Sequence, residues 1–147
     1  GITYCWVLKA DNTKIVGFMT LANSGLPTTH LSNNPKRHLN KNIPYSKQGR
    51  TYPGVLIGRL AVNAEFQGKD FRIGSQIINF LKVWFFNDNK AACRFLIVDA
   101  MNRPKTTAFY ERNGFCPLFP NMLHEKQYYK IPEDVELRTR MYYYDLY

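Results

Sequence analysis

The run QGKDFRIGS, residues 67 to 75, sets Gly68, Lys69, Arg72 and Gly74 directly ahead of a long apolar stretch. The first N–H groups of a helix have no intrahelical partner and lie at the positive end of the helix dipole. A loop that turns further N–H groups inward makes a cradle for phosphate or pyrophosphate. Gly68 and Gly74 would allow a close approach to the backbone, and Lys69 and Arg72 would add positive charge. The run is not a P-loop, because no Gly-Lys-Ser/Thr follows at the required spacing, and the three-glycine dinucleotide pattern is missing. On these residues alone, a glycine-softened turn explains the stretch as well as an anion site does.

The elements that would hold this loop can be read from pattern. ITYCWVLKA and IVGFMTLA, rich in aromatic and β-branched residues and separated by DNTK, read as a hairpin. Residues 23 to 54 are rich in Asn, Gly, Pro and Ser and read as a long loop or insertion. VLIGRLAVNA, 55 to 64, is apolar at nearly every position and reads as a central strand. A helix is expected from about Ile73 to Phe86, with Ile73, Ile77, Phe80, Leu81 and Trp84 forming one stripe. CRFLIVDA reads as a second buried strand, and PKTTAFYERNG as a helix opened by Pro104 and closed by Gly114. FCPLF reads as a short strand, NMLHEKQYYKIPEDVEL as an irregular excursion, and RTRMYYYDLY as a closing strand at the sheet edge. The strand–helix–strand unit at 55 to 100 implies a parallel pair with a right-handed crossover, so the sheet is mixed. The expected architecture is a single α/β domain over residues 1–147.

Composition narrows the function classes. The chain has 147 residues, 45% hydrophobic, with ten Tyr and ten Phe, enough for one domain with a real core. No apolar run reaches the roughly 18 residues of a membrane span, and the first ten residues lack the pattern of a secretory signal. Cys5, Cys93 and Cys116, and His30, His38 and His124, are scattered, so neither a disulfide framework nor a metal site is expected, and the cytoplasm is the expected location. Cys93 and Cys116 are expected in the core. The charge is +9, from 20 Lys plus Arg against 11 Asp plus Glu. No acidic residue lies between Asp11 and Glu65, whereas Lys14, Lys36, Arg37, Lys41, Lys47, Arg50 and Arg59 do. Such a stretch favours polyanions: nucleic acid, an acidic partner or a phosphorylated cofactor.

LAVNAEFQGKDFRIGS and AFYERNGF together resemble the GNAT superfamily of N-acetyltransferases. In that family a central strand leads into a Gln/Arg-x-x-Gly-x-Gly/Ala loop around the pyrophosphate of acetyl-CoA, and a later helix carries Tyr-Glu-x-x-Gly-Phe. GRLAVN with AFYERNGF looks most like the acetyltransferase toxins of toxin–antitoxin pairs. The resemblance departs at the first loop glycine: either Arg72 replaces it, or Asp70 and Phe71 are inserted, leaving Gln67 and Lys69 as alternatives for the Gln/Arg position. The strand and two helices that open the family fold have no counterpart ahead of the hairpin, so the donor half is better represented than the acceptor half.

The resemblance implies a GNAT-like, partly open sheet flanked by helices, with acetyl-CoA as cosubstrate and no metal. Gln67, Gly68, Lys69, Arg72, Ile73, Gly74 and Ser75 would grip the pyrophosphate. Leu60, Ala61 and Val62 would align the pantetheine arm, with Arg103 and Phe109 beside the cofactor. Tyr110 matches the general acid that protonates the departing thiolate. Glu65, Asp99 and Glu111 are open alternatives for a general base. The implied acceptor is a primary amine, with aminoacyl-tRNA, an antitoxin protein and a second copy of the chain (a homodimer) as candidate partners. The alternative is a non-catalytic module of the same fold that binds a CoA-like or nucleic-acid anion.

Overall fold

A computed structural model describes residues 1–27, 51–68, 70–88 and 92–147. Its strands are β1 (Ile2–Leu8), β2 (Asp11–Pro27), β3 (Thr51–Val62), β4 (Phe95–Met101), β5 (Cys116–Pro117) and β6 (Thr139–Asp145). Its helices among those residues are α1 (Ile73–Asn87), α2 (Pro104–Arg112) and α3 (Met122–Tyr129). They build one six-stranded sheet in the order β1-β2-β3-β4-β6-β5. All neighbours are antiparallel except β3 and β4, the parallel pair that α1 connects. The mixed, partly open sheet expected from the sequence is therefore present.

The opening has a definite place. β3 and β4 share a register only from Gly54↔Phe95 to Ile57↔Val98. Both strands continue, to Val62 and Met101, and a slot widens between them. Just where the pairing ends, β3 carries a bulge. Thr20 of β2 faces Arg59 and Leu21 faces Ile57, which leaves Gly58 as the extra residue. A bulge bends and twists its strand, so β3 turns away from β4 at this point.

Two apolar clusters cover the two faces of the sheet. The helix-side cluster includes Met19, Ile57, Ile78, Leu81, Leu96 and Tyr142. The other includes Leu26, Tyr52, Phe95, Ile97, Leu118 and Phe119. Along β4, odd and even residues therefore serve opposite faces, which is why nearly every position of this strand is apolar. In α1 the stripe differs from the sequence reading. Ile78 is fully buried at 0%, whereas Phe80 is 49% exposed and meets only the flank, its ring edge-on to Trp6 at 5.6 Å. Residues 77, 78 and 81 form the buried face, a slight rotation that pattern alone does not resolve.

Other boundaries also shift. The ends of the expected 23–54 loop are strand: β2 runs to Pro27 and pairs it with Thr51. Cross-strand pairing and the burial of Leu26 override a composition that reads as loop. The rest of that loop lies outside the described residues, with Lys36, Arg37, Lys41, Lys47, Arg50, His30 and His38. The expected irregular excursion contains α3, N-capped by Asn121, whose side chain accepts the His124 N–H at 3.0 Å. Its one buried residue is the charged Glu125, so it has no apolar stripe to read. FCPLF supplies only two strand residues, Cys116 is exposed rather than core, and β6 lies between β4 and β5 rather than at the edge.

Ile78→Ala should cost about 2–5 kcal/mol. Phe80→Ala should cost no more than about 1–2 kcal/mol, because much of that ring already meets water. Urea unfolding of the two variants at unchanged m-value checks this, and equal losses would restore Phe80 to the buried stripe.

Candidate active site

The slot is lined by backbone whose direction can be deduced. The Asn63 N–H donates to the Val16 carbonyl of β2 at 2.8 Å. The Val62 carbonyl belongs to the same trans peptide and points the other way, into the slot. Polar groups alternate along an extended strand, so Leu60 and Val62 turn theirs to the slot and Ala61 turns its own to Phe18 of β2. On the facing strand the Asn102 N–H donates to the Arg138 carbonyl at 2.8 Å, which turns Asp99 and Met101 to the slot in the same way. Both lips thus present N–H and C=O groups with no strand partner, suited to a ligand that carries amides, although the Met101 carbonyl accepts the Arg103 N–H at 2.7 Å.

At the mouth of this slot, α1 begins without a side-chain cap. The N–H groups of Ile73, Gly74 and Ser75 form its first turn, where orphan donors face outward. Arg72 precedes them at φ 48°, in the left-handed region. A non-glycine residue there carries a cost of order 1–3 kcal/mol, so Arg72 adopts the backbone of a loop glycine. Gly68 has φ 136°, a conformation few other residues take. Gln67 has a partner already: its side-chain amide donates to the Val62 carbonyl at 2.7 Å. Lys69 lies outside the described residues. Two amides missed by the sequence reading also hold the loop. Gln76 Nε2 donates to the Phe71 carbonyl at 2.8 Å, and Asn63 Nδ2 to the Ile15 carbonyl at 3.0 Å. Asn63 carries a legible signal, since it caps the short turn Ala64–Phe66.

Gly74 is where three separate sequence motifs meet. A Cβ added there would lie 3.2 Å from the Phe109 ring and 3.8 Å from Val62 Cγ2. The end of β3, the start of α1 and the AFYERNGF helix therefore converge within van der Waals contact. Phe109 packs against the helix-side core and edge-on against Tyr110 at 5.1 Å. Tyr110 is 7% exposed and also meets Phe115 at 5.5 Å. Burial pushes its pKa up to about 12. Its hydroxyl has no hydrogen-bond partner among the described residues, where no sealed side-chain N or O atom is left unpaired; the hydroxyl tip therefore retains access.

The remaining candidates have other ties. Glu65 pairs with Lys14 at 2.5 Å. Glu111 accepts a hydrogen bond from the Tyr142 hydroxyl at 3.0 Å. Arg103 is exposed at the N-cap of α2, its carbonyl accepting the Thr106 and Thr107 N–H groups. Asn102 reaches away to the Leu137 carbonyl at 2.8 Å. Asp99 lies within β4, opposite Met141. Among the described residues, no group of three or more His, Cys, Asp or Glu could hold a metal, and no helix is long and apolar enough to cross a membrane.

Residues 1–117 match the family model described as an acetyltransferase (GNAT) domain. The chain belongs to the GNAT acetyltransferase family. Solved structures of this fold include AtaT complexed with acetyl-methionyl-tRNA, similar at TM-score 0.62 and 22% identity over 97% of this chain and 69% of that one. A tyrosine-to-phenylalanine mutant of KacT gives 0.56 and 21%, over 90% and 64%. A mutant of the AtaT toxin bound to acetyl-CoA and the C-terminus of the antitoxin AtaR gives 0.56 and 18%, over 91% and 62%. At such identities the likeness is one of fold. The chain spans between 62% and 69% of the length of these GNAT proteins. A search of curated protein sequences finds no match.

Gly74→Ala should force the Phe109 ring aside and cost about 1–3 kcal/mol. Trimming the ring in a Gly74→Ala/Phe109→Leu double variant should recover part of that loss. A double-mutant cycle by thermal unfolding measures the coupling; simple additivity would mean that the two residues do not share this contact.

Proposed function

We propose that this chain transfers an acetyl group from acetyl-CoA to a primary amine by direct attack. The observation that carries the reading is the convergence at Gly74, which sets the slot, the uncapped helix start and the Tyr110 helix side by side. The N–H groups of Ile73, Gly74 and Ser75, with Gln67, Gly68 and Arg72 beside them, grip the pyrophosphate. With Arg72 in the glycine conformation, counting back three residues gives Lys69 the Gln/Arg position of the family loop. The slot-facing groups of Leu60 and Val62 pair with the pantetheine amides, while Ala61 anchors the strand to β2. Phe109 and Arg103 flank the cofactor.

The amine nitrogen forms a bond to the acetyl carbon as the C–S bond breaks. The nitrogen gives up a proton to a base or to water, the departing thiolate takes one from the Tyr110 hydroxyl, and the phenolate left behind regains one from solvent. Holding both reactants in the slot supplies much of the rate. An N–H on the slot lip stabilises the charge that builds on the carbonyl oxygen. A buried phenol with a raised pKa stays protonated across the working range, so it remains a donor.

For the acceptor we propose the amino group of an aminoacyl-tRNA. The +9 charge and the basic interval before Glu65 support it. So does the likeness to AtaT, whose structure holds acetyl-methionyl-tRNA. An antitoxin is a candidate partner on the same ground, as is a second copy of the chain.

Tyr110→Phe should lower kcat by about 10²–10⁴, with the Kd for acetyl-CoA within about twofold of wild type. Equal losses in rate and affinity would remove the general-acid role. In the wild type, log kcat/KM should rise with pH as the acceptor amine loses its proton. Because the Tyr110 pKa is raised, to about 12, no alkaline loss should follow below about pH 11. A descending limb near pH 9 would contradict that assignment. For tRNA, changing Lys36, Arg37 and Lys41 together to Gln should reduce the slope of log K against log salt by about 2–3. An unchanged slope would remove this basic stretch from the interface.

A further inference from the structure

We infer that Arg59 and Asp99, on opposite lips of the slot, position the acceptor: Asp99 holds its amine and Arg59 holds an anionic group beside that amine. The inference rests on the acetyl-transfer reading and names the acceptor chemistry that this reading leaves open.

Both side chains leave the sheet on the face opposite α1 and α2. Arg59 lies across from Thr20, whose neighbours Met19 and Leu21 belong to the helix-side core. Thr20 points the other way, its hydroxyl 2.9 Å from that of Thr3. Asp99 follows the same rule, since Val98 and Ala100 on either side of it are helix-side core. Its register partner Met141 packs in the cluster of the opposite face. The helix-side face of the slot is taken up by the start of α1 and by Phe109, closed on Val62. A second reactant reaches the slot from the face that Arg59 and Asp99 flank. Both residues lie within two positions of the last shared rung, Ile57↔Val98.

Arg140, the register partner of the neighbouring Ala100, has its Nε engaged by Glu125 Oε2 at 3.1 Å. Among the described residues Asp99 has neither an ion pair nor a side-chain hydrogen bond, and Arg59 has no ion pair; both reach solvent, with the Asp99 carboxyl also partly shielded by the sheet and its neighbours. Glu125 and Tyr129 feel the Asp99 charge, and each is made harder to ionise by it. With Arg140 paired to Glu125, the Asp99 carboxylate adds a negative charge to this corner, one that suits an ammonium group. Partial burial raises the pKa of the Asp99 carboxyl, which makes it a better proton acceptor. On the opposite lip, Arg59 suits a phosphate or carboxylate, which its planar fork can bind through two N–H groups. During transfer the amine proton passes to the Asp99 carboxylate and from there to water. The acceptor class that fits is a primary amine with an anion a few bonds away.

The test measures thiol release from acetyl-CoA with ethanolamine, O-phosphoethanolamine and bulk aminoacyl-tRNA as acceptors. Wild type, Arg59→Ala and Asp99→Asn are compared, and acetyl-CoA affinity is measured by calorimetry. Wild type should favour O-phosphoethanolamine over ethanolamine by about tenfold in kcat/KM, a charge-assisted contact. Arg59→Ala should bring that ratio to about one. Asp99→Asn should lower kcat/KM about 10²-fold for every acceptor. The Kd for acetyl-CoA should stay within about twofold in both variants. A preference that survives Arg59→Ala overturns the inference while leaving acetyl transfer intact. So does acetyl-CoA affinity that falls along with rate, since it would move the residue to the donor. Acetyl-CoA binding by wild type with no transfer to any of the three acceptors would overturn the acetyl-transfer reading itself, and the inference with it.

Discussion

Four rungs of parallel pairing between β3 and β4, and no more, set the terms for the rest of the molecule. A parallel pair is normally sealed along its length and buried on both faces. Here the Gly58 bulge turns β3 aside, so two strand edges face one another without bonding. Exposed edges of this kind are usually a liability. These edges are instead short, and two of their carbonyls are already taken, that of Val62 by the Gln67 side chain and that of Met101 by the Arg103 N–H. The residues of the candidate site are arranged around that divergence. The start of α1 closes one end, α2 brings Phe109 and Tyr110 to the same side, and the opposite face carries Arg59 and Asp99.

Much of this was legible because several signals agreed. The apolar run of β4 and the bounds of α1 follow from periodicity and stop signals. The turn-forming Pro104 and Gly114 place α2, and Gly114 does take a left-handed conformation at φ 80°. The convergence of the loop and the AFYERNGF helix was implied by family resemblance, not by spacing. Ile78 escaped because a stripe drawn at ideal spacing cannot resolve a small rotation of the helix. The strand residues from Asn23 to Pro27 escaped because their order comes from pairing with β3, which a local composition of Asn, Ser, Gly and Pro does not record.

α3 escaped for a different reason, and it is instructive. Its buried residue is a carboxylate, which serves the backbone and not a core. Glu125 Oε1 accepts the Met141 N–H at 2.6 Å, just beyond the point where β5 ceases to pair with β6. Arg140 balances the charge. The Met141 carbonyl still accepts the Leu118 N–H at 2.9 Å, so at this rung a backbone donor serves one polar group of Met141 and a side chain serves the other. Sequence patterns built on apolar periodicity are blind to a helix held in this way.

The bond from Gln67 to Val62 has a bearing on how the slot fills. The side-chain amide of glutamine and a ligand amide are the same functional group. A ligand that takes the Val62 carbonyl therefore trades one N–H for another at that atom, and little desolvation accompanies the trade. The glutamine so displaced would be a free amide in the loop that leads to α1, available to a second polar group of the same ligand. The two ends of a long, flexible ligand would be acquired in sequence, by a relay, and not as independent events.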